Sequence, residues 1–153
     1  MEENTARQLL KDAMVCDMTL PTVDMPAADE EKRAQAPRRF AAQGFDFVSL
    51  TVAVDEAEMP DAMRLLARER RAIEARPEAF VLVESTADIE RARQEGKLGI
   101  GLHFQGTGPV GRNLDLVALY YKLGIRHMLL AYNQKIWSAT AATSSRTTAS
   151  AAS

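Results

Sequence analysis

The chain is poor in cysteine, in aromatic residues and in any excess of one charge. Cys16 is its one cysteine, which excludes an internal disulfide and suits a reducing compartment. A formal net charge of −2, with no basic stripe interleaved with aromatics, excludes the electrostatic footprint of a nucleic-acid binder. No run approaches the ~18 consecutive apolar residues of a membrane-spanning helix. The opening MEENTARQLLKDAM is acidic and amphipathic, without the basic start and apolar core of a signal peptide. These absences predict a cytoplasmic protein with no nucleic-acid or membrane partner. What remains, 153 residues of which 46% are hydrophobic, suffices for one globular core.

The richest stretch is 97–134. Leu98 to Phe104 reads as a strand delivering His103, Gln105 and a glycine-rich turn, Gly106-Thr107-Gly108-Pro109. Asn113 then caps a helix whose Leu114, Val117, Ala118 and Tyr121 fall at i, i+3, i+4, i+7, with Gly124 as its stop. A strand from His127 to Ala131 follows and delivers Tyr132 and Asn133. Such a βαβ unit sets parallel strands side by side, and polar residues at their C-terminal ends mark where an α/β site lies.

Upstream, the pattern also alternates. A short helix over about 3–12 leads into a strand at 13–17, then a loop broken by Pro21 and Pro26. Ala28 to Gln43 reads as helical, interrupted near Pro37 and stopped by Gly44. A strand at 45–52 precedes a long helix with Pro60 in its first turn and Met63, Leu66, Ala67 and Ile73 on one side. Arg64, Arg68, Arg70, Arg71 and Arg76 on that helix read as a solvated face, because Glu69, Glu74 and Glu78 intersperse them. Residues 79–83 form a short extra strand, and Ser85 with Asp88 makes a capping box opening the helix that ends at Gly96.

Four segments resemble the membrane (renal) dipeptidase family. Cys16-Asp17-Met18-Thr19-Leu20-Pro21 is similar to its first-strand signature, Asp-Gly-His-Asn-Asp-Leu-Pro, and Gly44 to Leu50 to its second strand. Ser85 to Gln105 resembles the helix and strand leading to its Glu-Gly, and Leu119 to Asn133 its Leu-Gly-Val-Arg segment. The resemblance covers roughly 5–135. It implies an α/β chain forming part of a (β/α)8 TIM-type barrel of the metal-dependent hydrolase kind. Asp17, Gln105 and Asn133 are then expected at one end of the sheet.

The resemblance also implies chemistry. The family's peptidases hold two metal ions, zinc by implication, through a His-x-Asp pair on the first strand, a bridging Glu on the third and later histidines; the metals activate water against a dipeptide. Here Asp17 stands at the family's His, Thr19 at its Asp, Gln105 at its bridging Glu and Tyr132 at a substrate-side His, and the later histidines would fall beyond residue 153. Asp17 is the one weak metal candidate, and His103, Gln105, Tyr132 and Asn133 are substrate-side candidates. No residue is carried over as catalytic. A neutral Gln offers a carbonyl oxygen in place of a charge, and the Thr hydroxyl stays protonated near neutral pH. His103 is open to two readings, ligand or hydrogen-bonded core histidine, of which the second is the stronger.

His127, placed at the start of its strand and so at the far end from a barrel site, reads as structural. Gly106, Gly108 and Gly111 lack the spacing of a dinucleotide fingerprint, and Cys16 beside Asp17 is a packed, unactivated thiol. The chain therefore resembles a metal-dependent dipeptidase acting on a small peptide, yet is expected to bind no zinc and to be inactive. The alternative is a non-catalytic barrel fragment or a small-molecule-binding protein without metal.

Residues 1–135 are assigned to the barrel part and 136–153 to a separate tail. Fifteen of the last eighteen residues are Ala, Ser or Thr, and only Arg146 is charged. Such a tail reads as disordered or as the product of a frame slip near Lys135. A partial barrel leaves a strand edge open, so self-association is expected.

Overall fold

The computed structural model describes residues 5, 8–10, 12–21 and 30–130. Five parallel strands make one sheet: β1 Cys16–Pro21, β2 Phe47–Val54, β3 Phe80–Leu82, β4 Leu98–Gln105 and β5 Ile125–Met128. Between them lie α1 Glu30–Ala42, α2 Met59–Glu74, α3 Thr86–Gln94, a 3-10 turn Gly108–Val110 and α4 Asp115–Lys122. The order is β1-β2-β4-β3, with β5 also on β4. β2 occupies one edge of β4. On the other edge β3 pairs with Leu98 to Ile100 and β5 with Leu102 to Phe104. With the short β3 set aside, β1, β2, β4 and β5 follow one another around a parallel sheet in chain order, as barrel strands do.

Alternation gives the sheet two different faces. Val48, Leu50 and Val52 of β2 and Leu98, Ile100, Leu102 and Phe104 of β4 join the core that includes Ala62, Leu66 and Ile73 of α2 and Tyr120 of α4. The opposite face carries Phe47, Ser49 and Thr51 beside Gly99, Gly101 and His103. Gly101 has no room for a side chain there, because a Cβ would sit 2.8 Å from the Phe47 ring. His127 of β5 hydrogen-bonds the Met18 backbone of β1, although two strands separate β1 from β5. The sheet therefore curls towards this second face.

The helix boundaries follow their capping chemistry. Pro60 lies in the first turn of α2, where its missing N–H is harmless. The Asp88 carboxylate accepts the Ser85 N–H at 2.9 Å, as in a capping box, and also the Ser85 hydroxyl at 2.8 Å, at the start of α3.

Several elements differ from the sequence reading. α1 runs through Pro37 without a break, the proline ring being buried. β1 lies at Cys16–Pro21, not 13–17, since ladder pairing with β2 starts at Cys16↔Phe47 and continues to Pro21↔Thr51. Pro21 is tolerated because it ends an edge strand. β5 starts at Ile125, directly after Gly124 at φ 101 turns the chain out of α4.

The apolar stripe read on α4 is its outer side. Leu114 is 77% exposed and Tyr121 60% exposed, whereas Tyr120 is buried and Leu116 and Leu123 pack on the core. α4 is apolar on more than one side, and periodicity alone selected the wrong one. Nor are the α2 arginines one solvated face. Arg64 is exposed, but Arg70 is largely enclosed, bridging Glu74 at 3.1 Å, Glu84 at 2.9 Å and the Leu123 carbonyl at 2.8 Å. It thereby ties α2 to the C-terminus of α4, where a cation complements the helix dipole. The tail 136–153 lies outside the described residues.

Candidate functional site

The curled face is polar where β2, β4 and β5 meet. Ser49 and Thr51 stand two apart on β2, so both point to the side of His103 on β4. His103 is 2% exposed. Its Nδ1 lies 2.9 Å from the Ser49 hydroxyl and its Nε2 3.0 Å from the Thr51 hydroxyl. A neutral imidazole has one N–H and one lone pair, so one hydroxyl accepts from the ring and the other donates to it. The His127 ring stacks on it at 4.2 Å between centroids. Burial, and then the neighbouring His127, push the His103 pKa down to about 4. At neutral pH it is an uncharged, fully partnered side chain without a spare lone pair.

The ends of β2 and β4 build a second cluster. Gln105, half-buried, closes β4, and Asp55, buried, follows β2. The turn after Gln105 packs on Asp55 so closely that a Cβ on Gly106 would strike the Asp55 carboxylate, and one on Gly108 its carbonyl. The loop after β5 joins them: the Leu129 N–H donates to the Phe104 carbonyl at 2.9 Å.

Other residues singled out from the sequence fall elsewhere. Asp17 pairs with Val48, which pairs with Ile100, so it stands beside the first half of β4 and away from Gln105. Its Oδ1 accepts the Thr19 N–H at 2.8 Å. The expected gathering of Asp17 and Gln105 at one end is not present. The ladder begins at Cys16, so Asp17 opens its strand, while Gln105 ends its own. Tyr132 and Asn133 lie outside the described residues. His127 is not at the far end; it is level with His103 in the β4–β5 ladder. Cys16 is exposed, not packed; what desolvation it has, then the Asp46 carboxylate, push its thiol up, which disfavours thiolate chemistry. Sequence reasoning passed over Ser49, Thr51 and Asp55, although hydroxyls at i and i+2 in an otherwise apolar strand were a readable sign of a polar inner face.

The sequence profile of the membrane dipeptidase family (peptidase family M19) matches residues 25–153. The chain belongs to this family. The matched span starts after Asp17 and runs through the tail. No curated protein matches the chain significantly in sequence. Among solved structures, an amidohydrolase from Pseudomonas aeruginosa is similar over 86% of this chain and 38% of its own, with 22% identity and a TM-score of 0.70. The probable dipeptidase PvdM from the same organism matches over 87% of this chain and 38% of its own, with 13% identity and a TM-score of 0.65. A metallopeptidase from Rhodobacter sphaeroides, liganded with a phosphinate mimic of the dipeptide L-Ala-D-Ala, matches over 75% and 44%, with 15% identity and a TM-score of 0.58. These likenesses show the fold. The dipeptidase-family chain spans less than half the length of each.

A metallopeptidase family implies metal. Among the described residues no group of three or more His, Cys, Asp or Glu is arranged to hold a metal ion. Asp17 is engaged with the Thr19 backbone, Gln105 is uncharged, and both His103 nitrogens are taken by hydroxyls. A two-metal centre needs anionic bridging donors. These side chains do not fit one.

Proposed function

We propose that this chain supplies a dipeptidase-type hydrolase scaffold without itself performing metal-dependent dipeptide hydrolysis. One observation carries the reading. The inner face that would meet metal is built from neutral groups already satisfied by one another, Ser49, Thr51 and His103, with neutral Gln105 at the strand end. Binding a metal at His103 would break a buried hydrogen bond and strand a hydroxyl, which costs about 1–3 kcal/mol before any ligand bond forms. Without a metal, water keeps a pKa near ~15.7 in place of about 7, and little hydroxide is present at neutral pH. A small peptide would approach the C-terminal ends of the strands, around Gln105 and the Gly106–Val110 loop, as α/β folds place their ligands.

The test is metal content and turnover on the purified chain, with zinc added and L-Ala-D-Ala as substrate. Sub-stoichiometric zinc and no metal-dependent turnover are expected. Zinc-dependent hydrolysis that disappears in Asp17→Ala would overturn the proposal.

A further inference from the structure

On the helix-covered side of the sheet, away from His103, lies a half-open cavity of about 400 Å3. This volume is within the range of roughly 300–1,000 Å3 typical of small-molecule sites. The cavity lies between Pro37 of α1, the C-terminal half of α2 and the strands beneath. α2 runs back from the end of β2 to the start of β3, so its C-terminal half lies towards the strands' N-terminal ends. The cavity is thus separate from the Gln105 end and independent of the dipeptidase reading.

Its floor is apolar, formed by Leu50, Ile73, Phe80 and Ile100. Its rim is not: Arg68, Arg71 and Arg76 line it against one carboxylate, Glu69. The Arg68 side chain is only 21% exposed, and one of its terminal nitrogens, Nη2, donates to Glu69 at 3.2 Å. The Arg68 Nε is buried and has no hydrogen-bond acceptor. Buried N–H groups are almost always paired, and one on a guanidinium is costly to leave bare.

We propose that this cavity binds a small amphipathic carboxylic acid, its apolar chain over Ile73 and Phe80 and its carboxylate on the Arg68 guanidinium. A planar guanidinium matches a carboxylate's geometry. Among the described residues the rim carries three arginines against one acid, which disfavours a cation. Glu69 beside Arg68 disfavours a dianion such as a phosphate monoester, and the apolar floor gives a wholly polar anion nothing to bury.

Calorimetric titration of the 153-residue chain with octanoate and with octan-1-ol tests this. Octanoate is expected to bind on the order of tenfold more tightly than the alcohol, a charge-assisted hydrogen bond being the difference between them. Arg68→Met should remove that preference and leave the alcohol's affinity unchanged. Ala72→Phe, which fills the cavity from α2, should weaken both ligands about tenfold or more. Nuclear Overhauser contacts between the octanoate methyl group and the Phe80 ring, recorded on the unmutated protein, test the location without any variant. No octanoate binding, equal affinity for acid and alcohol, or contacts only to residues outside the cavity would overturn the proposal.

Discussion

His103 and His127 stack ring on ring, with centroids 4.2 Å apart and planes 13° from parallel, one on β4 and the other on β5. Two imidazoles so placed can both be neutral but cannot both be charged without repulsion. The pKa of His103 falls to about 4, through burial and then His127, while that of His127 is lowered by burial against an opposing hydrogen bond to the Met18 backbone.

The folded state therefore binds fewer protons than the unfolded one, in which histidine titrates near ~6.5. Stability is complete above about pH 6.5 and is lost as pH falls towards 4, by on the order of 3 kcal/mol from His103. Asp88, whose pKa is lowered to about 2 chiefly by its hydrogen bond to Arg91, loses its contribution only below its ordinary value of 3.8, so the two windows are separate. Urea unfolding at pH 7.5, 6, 5 and 4 checks this. A midpoint that stays constant from 7.5 to 4.5 would show that the histidines are not buried as described.

Much of this was legible in the sequence because local rules and tertiary demands agree there. Pro60, the Ser85–Asp88 pair, Gly124 and the strand Leu98 to Phe104 each announce one structure, and the order of elements follows. The strand limits at 16–21 and 125–128 were less legible, since ladder pairing depends on the partner's backbone and not on the apolarity of the strand itself. The choice between the two apolar sides of α4 likewise needed the position of the sheet. The histidine cluster joins residues 49, 51, 103 and 127 through register alone, and single-strand patterns do not carry register.

Tyr120 gives a local test of the α4 packing. Its ring meets Phe104 edge-on at 4.7 Å, and its buried hydroxyl donates to the Pro109 carbonyl at 3.2 Å. Tyr120→Phe keeps the ring and should cost about 1 kcal/mol, the net value of one hydrogen bond. Tyr120→Ala opens a cavity and should cost about 3–5 kcal/mol. Similar losses for the two variants would place the energy in the hydroxyl and contradict the buried ring contact.

Gln105→Glu restores the charge that the family resemblance assigns to a bridging ligand. On its own it should create no dipeptide hydrolysis, because Thr19 stays neutral and both His103 nitrogens stay bonded to hydroxyls. Its expected effect is on stability: a new carboxylate beside buried Asp55 adds like-charge repulsion, on the order of 1 kcal/mol. Turnover of L-Ala-D-Ala by this variant, with zinc but not without, would refute the prediction.

Among the described residues β1 pairs only with β2, and β5 only with β4, so each keeps an unpaired edge. Beside them α4 exposes Leu114, Val117 and Tyr121. Open edges and apolar faces invite pairing with a second copy of the chain. Sedimentation at increasing concentration should show growing mass, and Leu114→Lys with Tyr121→Lys should reduce it. A monomer at every concentration would remove this expectation.

The turn after β4 offers the sharpest stability contrast. Gly106 has φ 142, and a Cβ there would meet the Asp55 carboxylate and come within 2.9 Å of the Asp55 amide nitrogen. Gly44 also has positive φ, at 85, yet a Cβ there meets nothing within 4 Å. Both positions charge an alanine for left-handed backbone, about 1 kcal/mol. Only Gly106 adds a collision with a buried residue whose backbone cannot yield without moving β2. Gly44→Ala should therefore lower unfolding stability by about 1 kcal/mol, and Gly106→Ala by about 3 kcal/mol or more. Denaturant midpoints measured side by side decide it. Equal losses would mean that Asp55 does not pack under the turn and that the Gln105 end of the sheet is built differently.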